Sequence, residues 1–333
     1  MRIGFVGVGR IGASHAKVVR DHPSVTDVVL ADVDADRAAQ VAAELGVRAV
    51  TTPEDAYVDV DAIVIAAATS AHADLIIAAA RAGLPVFCEK PVAPDIAGTV
   101  QVRDEVERAG IPNQIGFMRR FDAGYTAARE ALRSGKLGEL RRVHMVTADA
   151  EPPPAGYVPH SGGIFRDCHV HDFDILRWVT ERDVVEVYAT GANRGAAYFG
   201  EAGDVDQSAA LLTLDDGTLA TVQGSRYNGG GYDVRMEVAG TEATYAVGLD
   251  DHTALVSAEP DIAFPGGTPY REFWSRFLPA YEAEINAFIE VADGALPSPC
   301  TVADALEGFY VAEAATRSRL EHRPVRIEEV RTA

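Results

Sequence analysis

The first third of the chain alternates short apolar runs with longer amphipathic ones. Arg2 to Gly7 is largely apolar and reads as a buried strand, and a helical pattern runs on through Val19. Asp27 to Ala31 is a second strand. Asp61 to Ala66 precedes a helix over Ala71 to Ala82, Pro85 to Cys88 precedes a helix over Pro94 to Ala109, and Pro112 to Phe117 closes the series. Strands alternating with helices imply a parallel, doubly wound sheet with right-handed crossovers.

The pattern changes near Arg119. Ala123 to Arg133 reads as a linking helix, and Leu140 to Ala150 as a long alternating strand. A proline-rich loop from Glu151 to about Phe165 follows. Then come strands at Val184 to Thr190, Asp206 to Leu214, Thr218 to Arg226, Tyr232 to Val238 and Ala243 to Val247, with Asp215-Asp216-Gly217 as a tight-turn signal. Tyr281 to Val291 and Val302 to Arg319 read as terminal helices. The expected architecture is α/β followed by α+β. Residues 1–118 form a doubly wound parallel sheet, and residues 119–333 form an open, mostly antiparallel sheet, with the last helix as the element able to pack back on the first domain.

Bulk properties narrow the function. With 333 residues, two domains are the natural expectation. A net charge of −20 argues against nucleic acid and against an anionic membrane surface. Cys88, Cys168 and Cys300 are few and widely spaced, which points to a reducing compartment and to no disulfide framework. Gly4, Gly7, Gly9 and Gly12 interrupt the apolar start, so it does not read as a signal peptide, and no window has the length of a membrane span. A cytoplasmic location is expected.

Gly7-Val8-Gly9-Arg10-Ile11-Gly12 sits between the first strand and the first helix. Gly7 permits the tight turn, Gly9 lets the backbone approach a pyrophosphate, and Gly12 lets helix and strand pack closely. The free N–H groups of the helix then face the phosphates. This is the Rossmann dinucleotide fingerprint, with Arg10 and Ile11 inside the turn. Asp32 ends the second strand, where such folds place a carboxylate on the adenosine ribose. Val33 and Asp34 follow it, with no arginine directly after, which favours NAD over NADP.

Two further strand ends carry polar clusters. Thr69, Ser70 and His72 follow one strand, with His72 as either a cofactor contact or a helix cap. Glu89, Lys90 and Pro91 follow another. Beside a nicotinamide, Lys90 could stabilise an alkoxide or lower a hydroxyl's pKa. The alternative is a surface lysine in a turn.

Gly162 to Trp178 is the densest polar stretch. Read as one helix, it places Asp167, His171 and Asp174 at i, i+4 and i+7 on a single face. That stripe is either proton-handling machinery or a solvated helix face. Cys168, His169, His171 and Asp172 raise the question of a metal. On a helix, however, His169 and His171 point about 200° apart, and no metal is expected.

Taken together, Gly7 to Gly12, Glu89-Lys90-Pro91 and Asp167-x-x-x-His171-Asp172-x-Asp174 resemble the Gfo/Idh/MocA oxidoreductases. The likeness extends to Gly231 to Glu237 and to Ala312-Glu313-Ala314-Ala315-x-x-Ser318. Gln114 to Asp122 and Phe273 to Phe277 are most similar to the inositol 2-dehydrogenases. The resemblance implies that NAD accepts hydride from a cyclic polyol, myo-inositol first among the possibilities. It implies Lys90, Asp167 and His171 as the catalytic set, with His171 as base, and Asp174 as a contact to substrate hydroxyls. It also implies a homotetramer.

A polyol site presents hydrogen-bonding groups, and Met118, Arg119, Tyr157, His160, Tyr227 and Tyr232 are the candidates, each with a core or surface reading beside it. Ser161, Thr241-Glu242-Ala243 and the glycine-rich Asn228 to Gly231 depart from the family pattern around the expected pocket. The competing readings are a ligand-sensing regulator and a glycosidase that uses the nicotinamide transiently, both on the same scaffold.

Overall fold

The computed structural model describes residues 1–332. Its strands are β1 (Arg2–Val6), β2 (Asp27–Ala31), β3 (Arg48–Ala49), β4 (Ala62–Ile65), β5 (Val86–Glu89), β6 (Asn113–Gly116), β7 (Leu140–Ala148), β8 (Val184–Ala192), β9 (Gln207–Leu214), β10 (Leu219–Ser225), β11 (Asp233–Gly240), β12 (Thr244–Val247) and β13 (Val325–Arg326). Its helices are α1 (Arg10–Asp21), α2 (Ala35–Leu45), α3 (Thr69–Ala82), α4 (Ile96–Ala109), α5 (Ala123–Arg133), α6 (Ile164–Asp167), α7 (Val170–Thr180), α8 (Tyr198–Glu201), α9 (Phe273–Ala292), α10 (Val302–Glu321) and α11 (Ile327–Arg331). No helix among the described residues is long and apolar enough to cross a membrane.

The chain divides into two units. The first comprises Met1–Phe121 and Pro279–Leu306. Its six strands lie in the order β3-β2-β1-β4-β5-β6 and every neighbouring pair is parallel. β1, β2, β4 and β5 are buried on both faces, which is why they read as largely apolar runs. Ile3, Phe5, Leu30, Val64 and Phe87 share a core with Ile285, Phe288 and Ile289 of α9.

This membership differs from the sequence expectation of a first domain confined to residues 1–118, with the last helix left as the element able to pack back on it. The returning segment is instead the part of α9 after Leu278, together with the opening of α10. Most of α10 and the tail stay with the second unit. The physical reason is the apolar stripe Ile285, Phe288, Ile289, which completes the core under β1 and β5.

The second unit comprises Asp122–Leu278 and Glu307–Ala333. Its seven strands run β12-β11-β7-β10-β9-β8-β13. The sheet is antiparallel except where β10 pairs with β7, so the mostly antiparallel expectation holds. One face is solvated: paired neighbours Tyr188, Leu211, Thr221 and His144 all point outward. On the other face, Ser208, Gly224 and Thr147 form a row directly across β9, β10 and β7. That row receives α7.

Candidate active site

In the first unit the glycine turn takes the form its sequence implies. Gly7 has φ +93, and an added Cβ would stand 2.5 Å from the Ala67 nitrogen. A Cβ on Gly12 would stand 2.1 Å from the Gly7 carbonyl oxygen, so only glycine lets α1 start this close to β1. A Cβ on Gly9 would meet no atom within 4 Å, leaving the backbone open on the side where a pyrophosphate would approach. No side chain caps α1, so its first N–H groups are available to an anion. Arg10 is exposed and Ile11 half-buried beside this opening.

Asp32 is buried, and its orientation is set by the backbone. Oδ2 accepts from the Val8 amide at 2.9 Å and Oδ1 from the Asp34 amide at 3.0 Å. The carboxylate is therefore locked to the glycine turn and keeps lone pairs for ribose hydroxyls. The residues present fit a dinucleotide with an unmodified ribose. Arg37 on α2 stands 3.7 Å from Asp32 and is half-exposed, an arginine that the residues directly after Asp32 gave no sign of.

At the next strand ends, Thr69 is half-buried and Ser70 exposed at the start of α3. His72 is buried, with Nδ1 2.7 Å from the Pro91 carbonyl oxygen and Nε2 3.0 Å from that of Ala67; a neutral imidazole donates to one of the two. These two neighbours place it between the loops after β4 and β5, and no side chain caps α3, so His72 is not a helix cap. Glu89 ends β5 and bonds His15 Nε2 at 2.9 Å. Lys90 follows, half-buried, joined to Pro91 by a cis peptide. Met118 and Arg119 sit in a short turn after β6, both buried, and Arg120 donates to the Pro299 carbonyl at 2.6 Å.

In the second unit the stretch from Gly162 to Trp178 is not one helix. It breaks after Asp167: the Cys168 and His169 amides both return to the Ile164 carbonyl, at 3.0 and 3.1 Å, and α7 starts at Val170. The single stripe expected for Asp167, His171 and Asp174 is thereby corrected. Asp167 closes a one-turn helix, while His171 and Asp174 belong to α7.

The break has a physical cause in His169, which turns down to the sheet. Its Nδ1 donates to Asp172 at 2.7 Å and its Nε2 accepts from the Ser208 hydroxyl at 2.8 Å, while Thr147 donates to the other Asp172 oxygen at 2.8 Å. Gly224 lies between Ser208 and Thr147, and a Cβ there would stand 2.3 Å from His169 Nε2. Acid, imidazole and hydroxyl stand in the order of a nucleophilic triad. His169, Asp172 and Ser208 are nevertheless all buried, so the group staples α7 to the sheet.

Asp167 is held from two sides. The Tyr157 hydroxyl donates to Oδ1 at 2.9 Å, and the buried Arg226 donates to Oδ2 at 2.7 Å. Arg226 also reaches Asp149 Oδ2 at 3.1 Å, so one guanidinium serves two carboxylates. Burial pulls Arg226 down, but Cys168, Asp167 and Asp149 outweigh it and hold it above the ordinary arginine value. Burial pushes Asp149 up against the pull of Arg226. Partial burial and then the Asp167 charge raise the Tyr157 hydroxyl, which stays a neutral donor.

The other polyol candidates separate by exposure. His160 is exposed. Tyr227 is half-exposed, and its hydroxyl accepts from the Ala196 amide at 3.1 Å. Met118, Arg119, Asp174 and Tyr232 are buried, so none of them stands on an open surface. Residue-by-residue reading missed Arg226 and Asp149, as well as the staple of His169, Asp172, Ser208 and Thr147.

Comparison with known proteins finds likeness across nearly the whole chain. Residues 1–117 match the model for the oxidoreductase family with an NAD-binding Rossmann fold, and residues 125–246 match the GFO/IDH/MocA C-terminal domain. The myo-inositol dehydrogenase Hyg17 of Streptomyces leeuwenhoekii is 35% identical over 96% of this chain and 97% of its own. The scyllo-inositol 2-dehydrogenase (NAD(+)) of Bacillus subtilis is 34% identical over 98% and 96%. The crystal structure of a probable dehydrogenase from Thermotoga maritima superposes with a TM-score of 0.93 at 32% identity, covering 99% of this chain and 100% of that one. With its dinucleotide turn, its anchored Asp167 and likeness across nearly its full length, the chain belongs to the Gfo/Idh/MocA oxidoreductase family.

Proposed function

We propose that this NAD-dependent oxidoreductase oxidises a ring hydroxyl of an inositol, and that its substrate is myo-inositol, converted to 2-keto-myo-inositol. The observation that carries the reading is the near-complete match to two inositol dehydrogenases, on a chain that has the Lys90, Asp167 and His171 motif. NAD, when bound, takes the hydride from the carbinol carbon.

The chain's own residues handle the proton and the charge. His171 accepts the hydroxyl proton, a step suited to an imidazole. Lys90 donates a hydrogen bond to the oxygen as negative charge builds on it. Asp167, held in place by Arg226 and Tyr157, offsets the positive charge that His171 acquires. Asp174 is assigned to substrate hydroxyls.

The deciding experiment is NADH production from a panel of cyclitols and aldoses, each offered with NAD and with NADP. Myo-inositol with NAD is expected to give the highest kcat/KM, with scyllo-inositol the runner-up because the Bacillus relative is named for it. NADP is expected to be the poorer cofactor because Asp32 repels a 2′-phosphate. Cofactor binding without NADH from any member of the panel would sink the dehydrogenase reading.

The solvated sheet face is the proposed subunit contact, within a tetramer. Tyr188, Leu211 and Leu219 are 44%, 42% and 49% exposed there, an apolar patch on an otherwise charged protein. Light scattering should give about four times the 35.4 kDa chain mass, and a monomer at micromolar concentration would remove the proposal.

A further inference from the structure

Glu284 of α9 is fully buried, and neither of its carboxylate oxygens has a hydrogen-bond partner. It does not stand alone. A carboxylate oxygen of Glu284, one of Glu89 and a ring nitrogen of His15 all lie within 4.8 Å of one another. All three residues belong to the first unit, on α9, at the end of β5 and on α1. Around them stand Phe87, edge-on to His15 at 5.4 Å between ring centroids, Phe288 against Phe87 at 5.7 Å, and Tyr281 at 6.1 Å from His15. From β6, the Gln114 amide donates to the Glu284 backbone carbonyl at 2.8 Å, and Gln114 Oε1 has no partner either.

Two anions this close in an aromatic shell are unfavourable unless a cation or a proton joins them. A shared metal ion fits poorly. His15 Nε2 and Glu89 Oε1 are 2.9 Å apart, a hydrogen bond, whereas two donors on one tetrahedral zinc ion at about 2.0–2.2 Å stand about 3.3 Å or more apart. The groups facing Glu284 are Glu89 from β5, His15 from α1, Gln114 from β6 and Tyr281 from its own helix. His15 Nε2 stands 2.9 Å from Glu89 Oε1, so Glu89 already has a partner where Glu284 has none. Burial, then the Glu89 charge, push the Glu284 carboxyl well above its usual range. A neutral acid at Glu284 can stand beside the Glu89 carboxylate in this shell, whereas a second carboxylate there is unfavourable.

We infer that Glu284 is a protonated carboxylic acid in the working enzyme and a positioning residue, acting through Glu89 on the strand end that presents Lys90. Glu284, Glu89 and His15 bring α9, the end of β5 and the helix that follows the glycine turn within 4.8 Å of one another. The positioning half of this inference rests on the role proposed for Lys90, whereas the protonation half does not.

Infrared difference spectra of the apoprotein at pH 7, wild type against Glu284→Gln, test protonation without reference to turnover. A carboxylic acid carbonyl band present in wild type and absent from Glu284→Gln is expected; its absence from wild type overturns the inference, as does a stoichiometric metal ion lost in the variant. Kinetics test positioning. Glu284→Gln, shaped like the neutral acid, should keep kcat within about twofold with an unchanged pH profile. Glu284→Leu, checked for a cooperative melt, should lose at least about tenfold in kcat with NAD affinity unchanged. Equal losses in both variants would overturn the positioning role. A wild type that binds NAD but oxidises no polyol would sink the proposed function while leaving the infrared result standing.

Discussion

Arg226→Leu should lower kcat by about 100-fold while the protein still binds NAD. The arginine touches no part of the dinucleotide turn; it holds Asp167 and Asp149 with a single buried guanidinium. Misplacing a catalytic group by about 1 Å costs on the order of 10²-fold, and removing one partner of a buried ion pair costs about 3–5 kcal/mol of stability. The variant should therefore also melt earlier than wild type.

The pH profile gives the sharper check. Asp149 is already pushed up by burial, with Arg226 opposing the shift. Without Arg226, Asp149 loses the pull that opposes its burial and rises further. Activity that needs this carboxylate ionised is lost as pH falls through the raised value, so the acidic limb of kcat/KM against pH should move to higher pH. Arg226→Lys should recover only part of the loss, because an ammonium lacks the fork that serves two carboxylates at once. An acidic limb unchanged in Arg226→Leu would reduce Arg226 to a packing residue.

Lys90→Ala should cost more in turnover, about 10³-fold in kcat, with the NAD dissociation constant within about threefold of wild type. A positioned proton donor contributes on the order of 10²–10⁴-fold, and Lys90 is the residue assigned to the developing oxyanion. Steady-state kinetics and fluorescence titration with NADH separate the two quantities. Comparable losses in both would recast Lys90 as a cofactor residue.

These two residues mark what a sequence shows and what it hides. Lys90 was legible because it follows an apolar strand within Glu89-Lys90-Pro91, a local signal. Arg226 was not. It meets Asp167 across 59 positions and Asp149 across 77. What joins Arg226 to Asp149 is the parallel pairing of β10 with β7, which sets Ser225 beside Ala148 and leaves the next residues adjacent at one sheet end. A parallel pair between distant strands leaves no periodic trace. The broken helix at Cys168 was hidden for the same reason, since His169 is drawn down by Ser208 on another strand.

Five of the six strands of the first sheet were legible, and β1, β2, β4 and β5 are largely apolar runs. The sequence reading passed over α2 and β3, although Asp34 caps α2 by accepting from the Arg37 amide and Gly46 ends it in a left-handed conformation. There the signal existed and was local: an N-cap acid and a C-terminal glycine around an alanine-rich run.

The return of α9 to the first sheet bears on how the chain is made. A ribosome releases Met1 to Phe121 long before Ile285, Phe288 and Ile289 exist, so the nascent first half emerges without those core residues. Its apolar surface beside Phe5 and Phe87 stays uncovered while β7 to β12 of the second sheet are synthesised. Completion of the cofactor half thus waits on nearly the full length of translation, and the exposed interval is the one a chaperone would have to guard.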